Sequence, residues 1–349
     1  MATRDRRSVA LWLFACAAAV FATLVVGGVT RLTHSGLSIV EWQPLVGTLP
    51  PLSSSEWEGV FARYRRTPEY LKVNYGMSLE AFKRIFWWEW AHRALARANG
   101  VVFFAPFLYF LAHRRLDRRL VTDLAGVFLL GGAQGALGWY MVRSGLVDDP
   151  RVSHYRLTAH LGLAFVIFGA LVWMALGLLT ERRPGPAHLR LARRLGALQA
   201  GAVLVMVLSG GLVAGLRAGL VYNTFPFMDG RLVPALAFAG RPLFRDVVTN
   251  VATVQFDHRL LGLLLVLLAS LFCAVVRKAL SPPRARLASG LLLAGLLAQV
   301  ALGAATVILA VPVALGAAHQ AGAMLLFGLA LWANHELRIV GESRAQDEQ

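Results

Sequence analysis

Eight apolar runs limit this chain more than any other feature it carries. They fall at residues 9–29, 94–112, 120–141, 157–179, 195–214, 251–276, 287–309 and 313–332, each close to the ~20 residues a helix needs to cross a hydrocarbon layer. A backbone in lipid finds no water to bond, so such runs predict helices that satisfy their own amides. The chain reads as an all-α polytopic membrane protein with eight transmembrane helices. Composition agrees: 57% of the 349 residues are hydrophobic and 15% charged, whereas about a quarter of the residues in soluble domains are charged. The first run exceeds the roughly 7–15 residues of a signal-peptide core, so it reads as a span and not a leader.

The formal charge of +16 raises nucleic acid as a partner, and its placement argues against one. The cations gather in short clusters between apolar runs, with no basic face and no nucleic-acid motif. Arg4, Arg6 and Arg7 precede the first run. Arg114, Arg115, Arg118 and Arg119, then Arg182, Arg183, Arg190, Arg193 and Arg194, then Arg277, Lys278, Arg284 and Arg286 fill alternate connections. By the positive-inside rule these share the cytoplasmic side with both termini. The long connection 30–86 then faces outward. It holds turn-rich segments, Ser35-Gly36-Leu37-Ser38 and Trp42-Gln43-Pro44, and two helix starts, Ser53 ahead of Glu56 and Ser78 ahead of Glu80, so interfacial helices are expected in it. Cys16 and Cys273 each lie inside an apolar run, which leaves no disulfide framework and no cysteine metal site.

The chain repeats itself. Glu89-Trp90-Ala91-His92-Arg93 returns as Gln255-Phe256-Asp257-His258-Arg259, Gln134-Gly135-Ala136-Leu137-Gly138 as Gln299-Val300-Ala301-Leu302-Gly303, and Gly27-Gly28 as Gly210-Gly211. His160 and His319 stand at matching points of their spans. Residues 1–180 and 181–349 therefore read as two pseudo-symmetric four-helix bundles, one duplicated unit in the same orientation twice.

Duplication sorts the nine histidines. His34, His154 and His188 fall in connections, and His113 and His335 at span ends, where solvated or interfacial histidine is expected. His92, His160, His258 and His319 stand near the outward ends of the four even-numbered spans, at one depth. A lone intramembrane histidine is ordinarily a buried hydrogen-bonding group or part of a proton relay. Four of them in repeat-related pairs point to metal ligation. No cysteine or carboxylate cluster completes a zinc or non-haem iron site, and two imidazoles per bundle suit a six-coordinate haem. Gly126, Gly131, Gly132, Gly135, Gly138 and Gly162 in the first half, with Gly201, Gly210, Gly211, Gly215, Gly262, Gly303 and Gly316 in the second, would let a flat macrocycle approach the backbones, or simply let helices pack closely. Arg93 and Arg259 each follow a candidate ligand and are candidate propionate partners, with snorkelling to the interface as the alternative.

Glu89 breaks the repeat, because Gln255 occupies its place in the second half. A carboxylate can take a proton or stabilise developing positive charge, and an amide cannot act as that base. Glu89 is thus the candidate catalytic residue, against the plainer reading that it pairs with Arg93. Asp257 points about 100° away from the His258 direction on a helix and is not expected to take part.

Beyond these patterns, Gly28-Val29-Thr30-Arg31-Leu32-Thr33, Ser35-Gly36-Leu37-Ser38, Phe86-Trp87-Trp88-Glu89-Trp90-Ala91-His92-Arg93, Gln134 to Val142, Tyr222-Asn223-Thr224-Phe225-Pro226 and Phe256-Asp257-His258-Arg259 resemble the signature segments of the haem A synthase family. The segment Asn74 to Lys83 is similar to its proteobacterial and mitochondrial branch, and the cysteine pair of other branches is absent. The resemblance implies a two-step oxidation of the C8 methyl group of haem O to a formyl group. It implies haem b held by His258 and His319 as cofactor, haem O at His92 and His160 as substrate, and Glu89 as the family's important acidic residue. It also implies a multi-pass protein of the bacterial inner membrane. The expected partners are a haem O synthase, cytochrome oxidase assembly factors and an unidentified electron acceptor, with a homo-oligomer left open. Two other readings use the same residues: a di-haem b-type electron-transfer cytochrome, and a secondary transporter with a histidine proton relay.

Overall fold

Each apolar run becomes one helix, and the polar connection after the first contributes two short ones. The computed structural model describes residues 3–41, 48–147, 150–180, 187–240 and 242–338; Trp42-Gln43-Pro44, Arg182 and Arg183 lie outside them. In chain order the helices are α1 (Thr3–Leu32), α2 (Ser54–Tyr64), α3 (Pro68–Lys72), α4 (Leu79–Ala112), α5 (Arg118–Arg143), α6 (His154–Leu179), α7 (Arg190–Gly215), α8 (Leu243–Thr249), α9 (Val251–Lys278), α10 (Pro283–Ile308) and α11 (Val313–Glu336). Eight of them, all except α2, α3 and α8, are long and apolar enough to cross a membrane.

Local chemistry sets the boundaries. Ser53 caps α2 through a capping box with Glu56, and Ser78 caps α4 by accepting the Ala81 amide, as the sequence predicts. Asn250 caps α9 by accepting from Ala252 and Thr253. α1 stops where His34 turns into the left-handed region at φ 54°, and α7 stops where Arg217 does the same at φ 54°. The 34 residues of α4 reach about 51 Å at 1.5 Å per residue, well beyond a ~30 Å hydrocarbon layer. Its first turns carry a separate aromatic cluster of Tyr64, Tyr70, Phe82 and Phe86 with Trp57 and Phe61, which holds α2 and α3 against it.

The neighbours recur between halves. α1 packs on α4 and α6, and α5 on α6; α7 packs on α9 and α11, and α10 on α9 and α11. The α4–α5 contact is sparse beside its counterpart α9–α10. The halves meet through α6 on α7, α1 on α11 and α6 on α11. One apolar core runs through all of this, with Leu13, Leu124, Phe165, Leu171, Phe272, Leu292 and Met324 fully buried.

The N-terminal segment meets the connection after α4 and the end of α6. Arg115 Nε lies 3.6 Å from Asp5, and Arg6 donates to the Thr180 carbonyl at 3.3 Å. Cys16 and Cys273 are both free and buried. Two histidines depart from expectation. His335 is not solvated but buried against Trp173, 3.5 Å from Thr180 Oγ1, because the end of α11 folds under α6. His154 is no loop residue but the first of α6, pressed on Gly215 of α7.

Candidate active site

The four predicted ligands sit on four helices: His92 on α4, His160 on α6, His258 on α9 and His319 on α11. All four line one continuous cavity of about 1840 Å³, beyond the ~300–1,000 Å³ of a single small-molecule site. His92 and His160 are close enough to interact electrostatically, as are His258 and His319. The structure thus places His92 near His160 and His258 near His319.

Each imidazole rests on a glycine of a neighbouring helix. A Cβ at Gly27 would stand 2.6 Å from His92 Cε1, at Gly138 2.9 Å from His160, at Gly210 3.3 Å from His258 and at Gly303 2.8 Å from His319. Most side chains there would displace the ring, so four of the repeated glycines have a specific duty. Gly131, Gly132 and Gly135 line the cavity with open space before them, whereas Gly211 is pressed on Thr158; the small residues divide between a cavity wall and helix packing.

Second nitrogens are treated alike across the repeat in one pair and left bare in the other. His92 Nδ1 lies 3.2 Å from the Thr23 carbonyl and His258 Nδ1 3.2 Å from Ser209 Oγ. With Nδ1 donating, the Nε2 lone pair is available as a ligand, the usual arrangement of metal-binding histidine. His160 Nδ1 and His319 Nδ1 are buried without a hydrogen-bond partner. Gln134 and Gln299, the repeated glutamines, donate to the backbone carbonyls of His160 and His319 at 3.1 and 2.6 Å. Among the described residues no group of three or more His, Cys, Asp or Glu comes together as a metal site. Each pair of imidazoles fits a metal whose remaining ligands would come from a bound macrocycle.

Glu89 is buried and fully engaged. Its Oε2 accepts from Ser38 Oγ at 2.7 Å and from the Ile39 amide at 2.8 Å; its Oε1 accepts from Arg93 Nη2 at 2.6 Å and Nε at 3.0 Å. Arg93 also donates to the carbonyls of Ile39 and Glu41. In the second half Gln255 donates to the Tyr222 carbonyl at 3.0 Å, and Arg259 donates to the carbonyls of Tyr222 and Thr224, both at 2.9 Å. The two i, i+4 pairs do one job, fastening the loop that follows the first span of each half. The loop offers hydroxyl and amide donors to Glu89 but a carbonyl to Gln255, so the Glu/Gln difference has a structural cause of its own. Arg93 and Arg259 are loop clamps in this geometry. Glu89, Arg93 and Arg259 still line the cavity, and Asp257 does not.

Sequence reasoning missed a polar group where the halves meet. Arg217 Nη2 lies 3.3 Å from His34 Nδ1, and Arg217 acts electrostatically on both Arg31 and Glu69. Glu69, buried on α3, has its carboxyl pushed up to about 7 by burial, with Arg217 pulling the other way. Burial and the positive charges of Arg217 and Arg31 hold His34 below its ordinary value. All four side chains line the same cavity. Arg31 stood inside a quoted segment, but nothing local marked Glu69 or Arg217.

Comparison with known proteins bears on this arrangement. A family described as cytochrome oxidase assembly protein matches residues 10–331. A protein of Nitrosospira multiformis named "Heme A synthase" is 56% identical over 335 residues, covering 95% of this chain and 94% of its own. Proteins of the same name from Nitrosomonas eutropha and Paramagnetospirillum magneticum are 50% and 49% identical, covering 96% and 97% of this chain and 95% and 96% of their own. The chain belongs to this family of cytochrome oxidase assembly proteins.

Proposed function

We propose that the chain is a haem A synthase, an oxidoreductase of the bacterial inner membrane that converts the C8 methyl group of haem O to a formyl group in two oxidations. The observation that carries the reading is the cavity lined by four histidines in two repeat-related pairs, each ring seated on a glycine. In this reading residues 1–180 form the substrate bundle, with His92 and His160 at the haem O iron. Residues 181–349 form the second bundle, with His258 and His319 holding haem b. The bound iron supplies the redox chemistry, and the protein supplies position and charge. Thr23 and Ser209 fix the ring tautomers of one ligand in each half, and the clamped loops keep water from the mouth of the cavity.

Glu89 is the one carboxylate within a helical turn of a substrate-side ligand, and we assign it to the reacting methyl group, as proton acceptor or electrostatic stabiliser. Its bonds to Ser38 and Ile39 support the role by holding the oxygens in place. The arginine clusters put both termini in the cytoplasm. A haem O synthase and oxidase assembly factors are the partners this role requires, together with an electron acceptor.

The test is to express the chain with a source of haem O, then extract and chromatograph the bound haems. Haem A or its hydroxylated precursor is expected. Haem b alone would replace the enzyme by a di-haem electron carrier, and no haem at all would leave a transporter.

A further inference from the structure

On α1, Gly27 meets the His92 ring, and Arg31 is four residues further on. Four residues return to nearly the same face of a helix about 6 Å along. Arg31 therefore stands one turn above the ring-bearing contact, towards the loop end, and it lines the cavity. Among the described residues its guanidinium has neither a hydrogen-bond acceptor nor a salt bridge. Its titratable neighbours are Arg217, a like charge, and His34, held neutral by its surroundings. A half-buried guanidinium with a second, exposed one near enough to act on it is repelled unless an anion joins them. Glu69 faces Arg217 and leaves Arg31 uncompensated.

The second half lacks this feature. Gly210 meets His258 as Gly27 meets His92, and four residues beyond it stands Ala214. The cation is present on one side only, as Glu89 is.

We infer that Arg31, with Arg217 beside it, binds a carboxylate of the porphyrin held at His92 and His160. This rests on the proposed haem function and deepens it by naming the residue that grips the ionised edge of the macrocycle. A guanidinium facing a carboxylate in a cavity of low polarity gives a bidentate, charge-assisted contact. Arg93 and Arg259, already committed to loop carbonyls, need not serve. One-sided recognition also orients the ring: with its carboxylate edge at the loop end, the opposite edge points down the cavity towards the membrane interior.

The test uses the full chain purified in detergent micelles and titrated with iron protoporphyrin IX or its dimethyl ester, following the Soret band. In the binding step that His92→Ala removes, the wild-type chain is expected to take up the free acid at least tenfold more tightly than the ester, about 1.4 kcal/mol. Arg31→Leu is expected to abolish that preference by weakening the acid and leaving the ester unchanged, and Arg31→Lys to restore part of it. Wild-type uptake without preference, or a preference that survives Arg31→Leu, overturns the inference and leaves the haem reading intact. Absence of uptake of either porphyrin by the wild-type chain overturns both. The acid-to-ester comparison needs no variant, so a misfolded substitution does not remove the test.

Discussion

Glu89 Oε2 accepts the Ile39 amide proton at 2.8 Å, and that contact ties the loop after α1 to the helix that bears His92. A residue singled out for chemistry is thus also a fastener, and the two duties are separable by experiment. Glu89→Gln keeps an acceptor for Ile39 but removes the charge that faces Arg93. We expect a loss of about 1–3 kcal/mol in thermal unfolding, the cost of weakening a buried charged hydrogen bond. Haem content per chain should stay normal while haem A disappears from extracts. Normal haem A yield would strip Glu89 of its chemical role and leave the clamp.

The glycine seats predict a graded series. In the second half Gly303→Ala puts a methyl 2.8 Å from the His319 ring and Gly210→Ala one 3.3 Å from His258. Only the first is below the distance at which something must move. Haem retained after purification, read by absorbance, should therefore fall much further in Gly303→Ala than in Gly210→Ala. The reverse order would show that the rings are not seated as described.

Ser209 offers a test of tautomer control. Its hydroxyl is 3.2 Å from His258 Nδ1, and loss of such an outer partner typically costs ~10–100-fold in metal affinity. Ser209→Ala should accelerate haem loss to apomyoglobin on that scale. Unchanged transfer would remove Ser209 from the ligand's support.

Glu69 predicts the shape of a pH profile. Its carboxyl is pushed up from 4.5 to about 7, so the folded chain holds a proton that the unfolded chain releases. Stability from this group is greatest below pH ~4.5, falls as pH rises between ~4.5 and ~7, and stays low above. Glu69→Gln should therefore raise the unfolding free energy at pH 8 by an amount of order 1–2 kcal/mol after solvent screening, seen as a higher melting temperature, and leave it unchanged near pH 4.5. Equal effects at both pH values would mean that the carboxyl titrates normally.

How much of this was legible beforehand follows from where each signal lives. Spans, caps and the duplicated motifs are local: apolar length announces α1 or α9, and Ser53 with Glu56 announces α2. The four histidines were legible because repetition gave each a partner at matching depth. The pairing of Glu89 was not, since Ser38 and Ile39 lie fifty-one and fifty residues away and only tertiary folding decides whether a loop turns donors or carbonyls to a helix. Motif comparison put Gln255 opposite Glu89 but could not reveal that Tyr222 offers it an acceptor. His335 misled for the same reason: a span end is solvated unless another helix covers it, and α6 does.

The clamps bind two motions into one. Arg93 grips the Ile39 carbonyl at 2.8 Å and Arg259 the Tyr222 carbonyl at 2.9 Å, each from the position next to a ring-bearing histidine. To lift either loop, the chain must break a contact made by the same helical turn that aims the imidazole. The Ile39 amide, bonded to Glu89, should then exchange its hydrogen for deuterium only as fast as that turn of α4 opens. A backbone proton in a water-facing loop becomes a clock for an imidazole inside the bilayer, readable without seeing the iron at all.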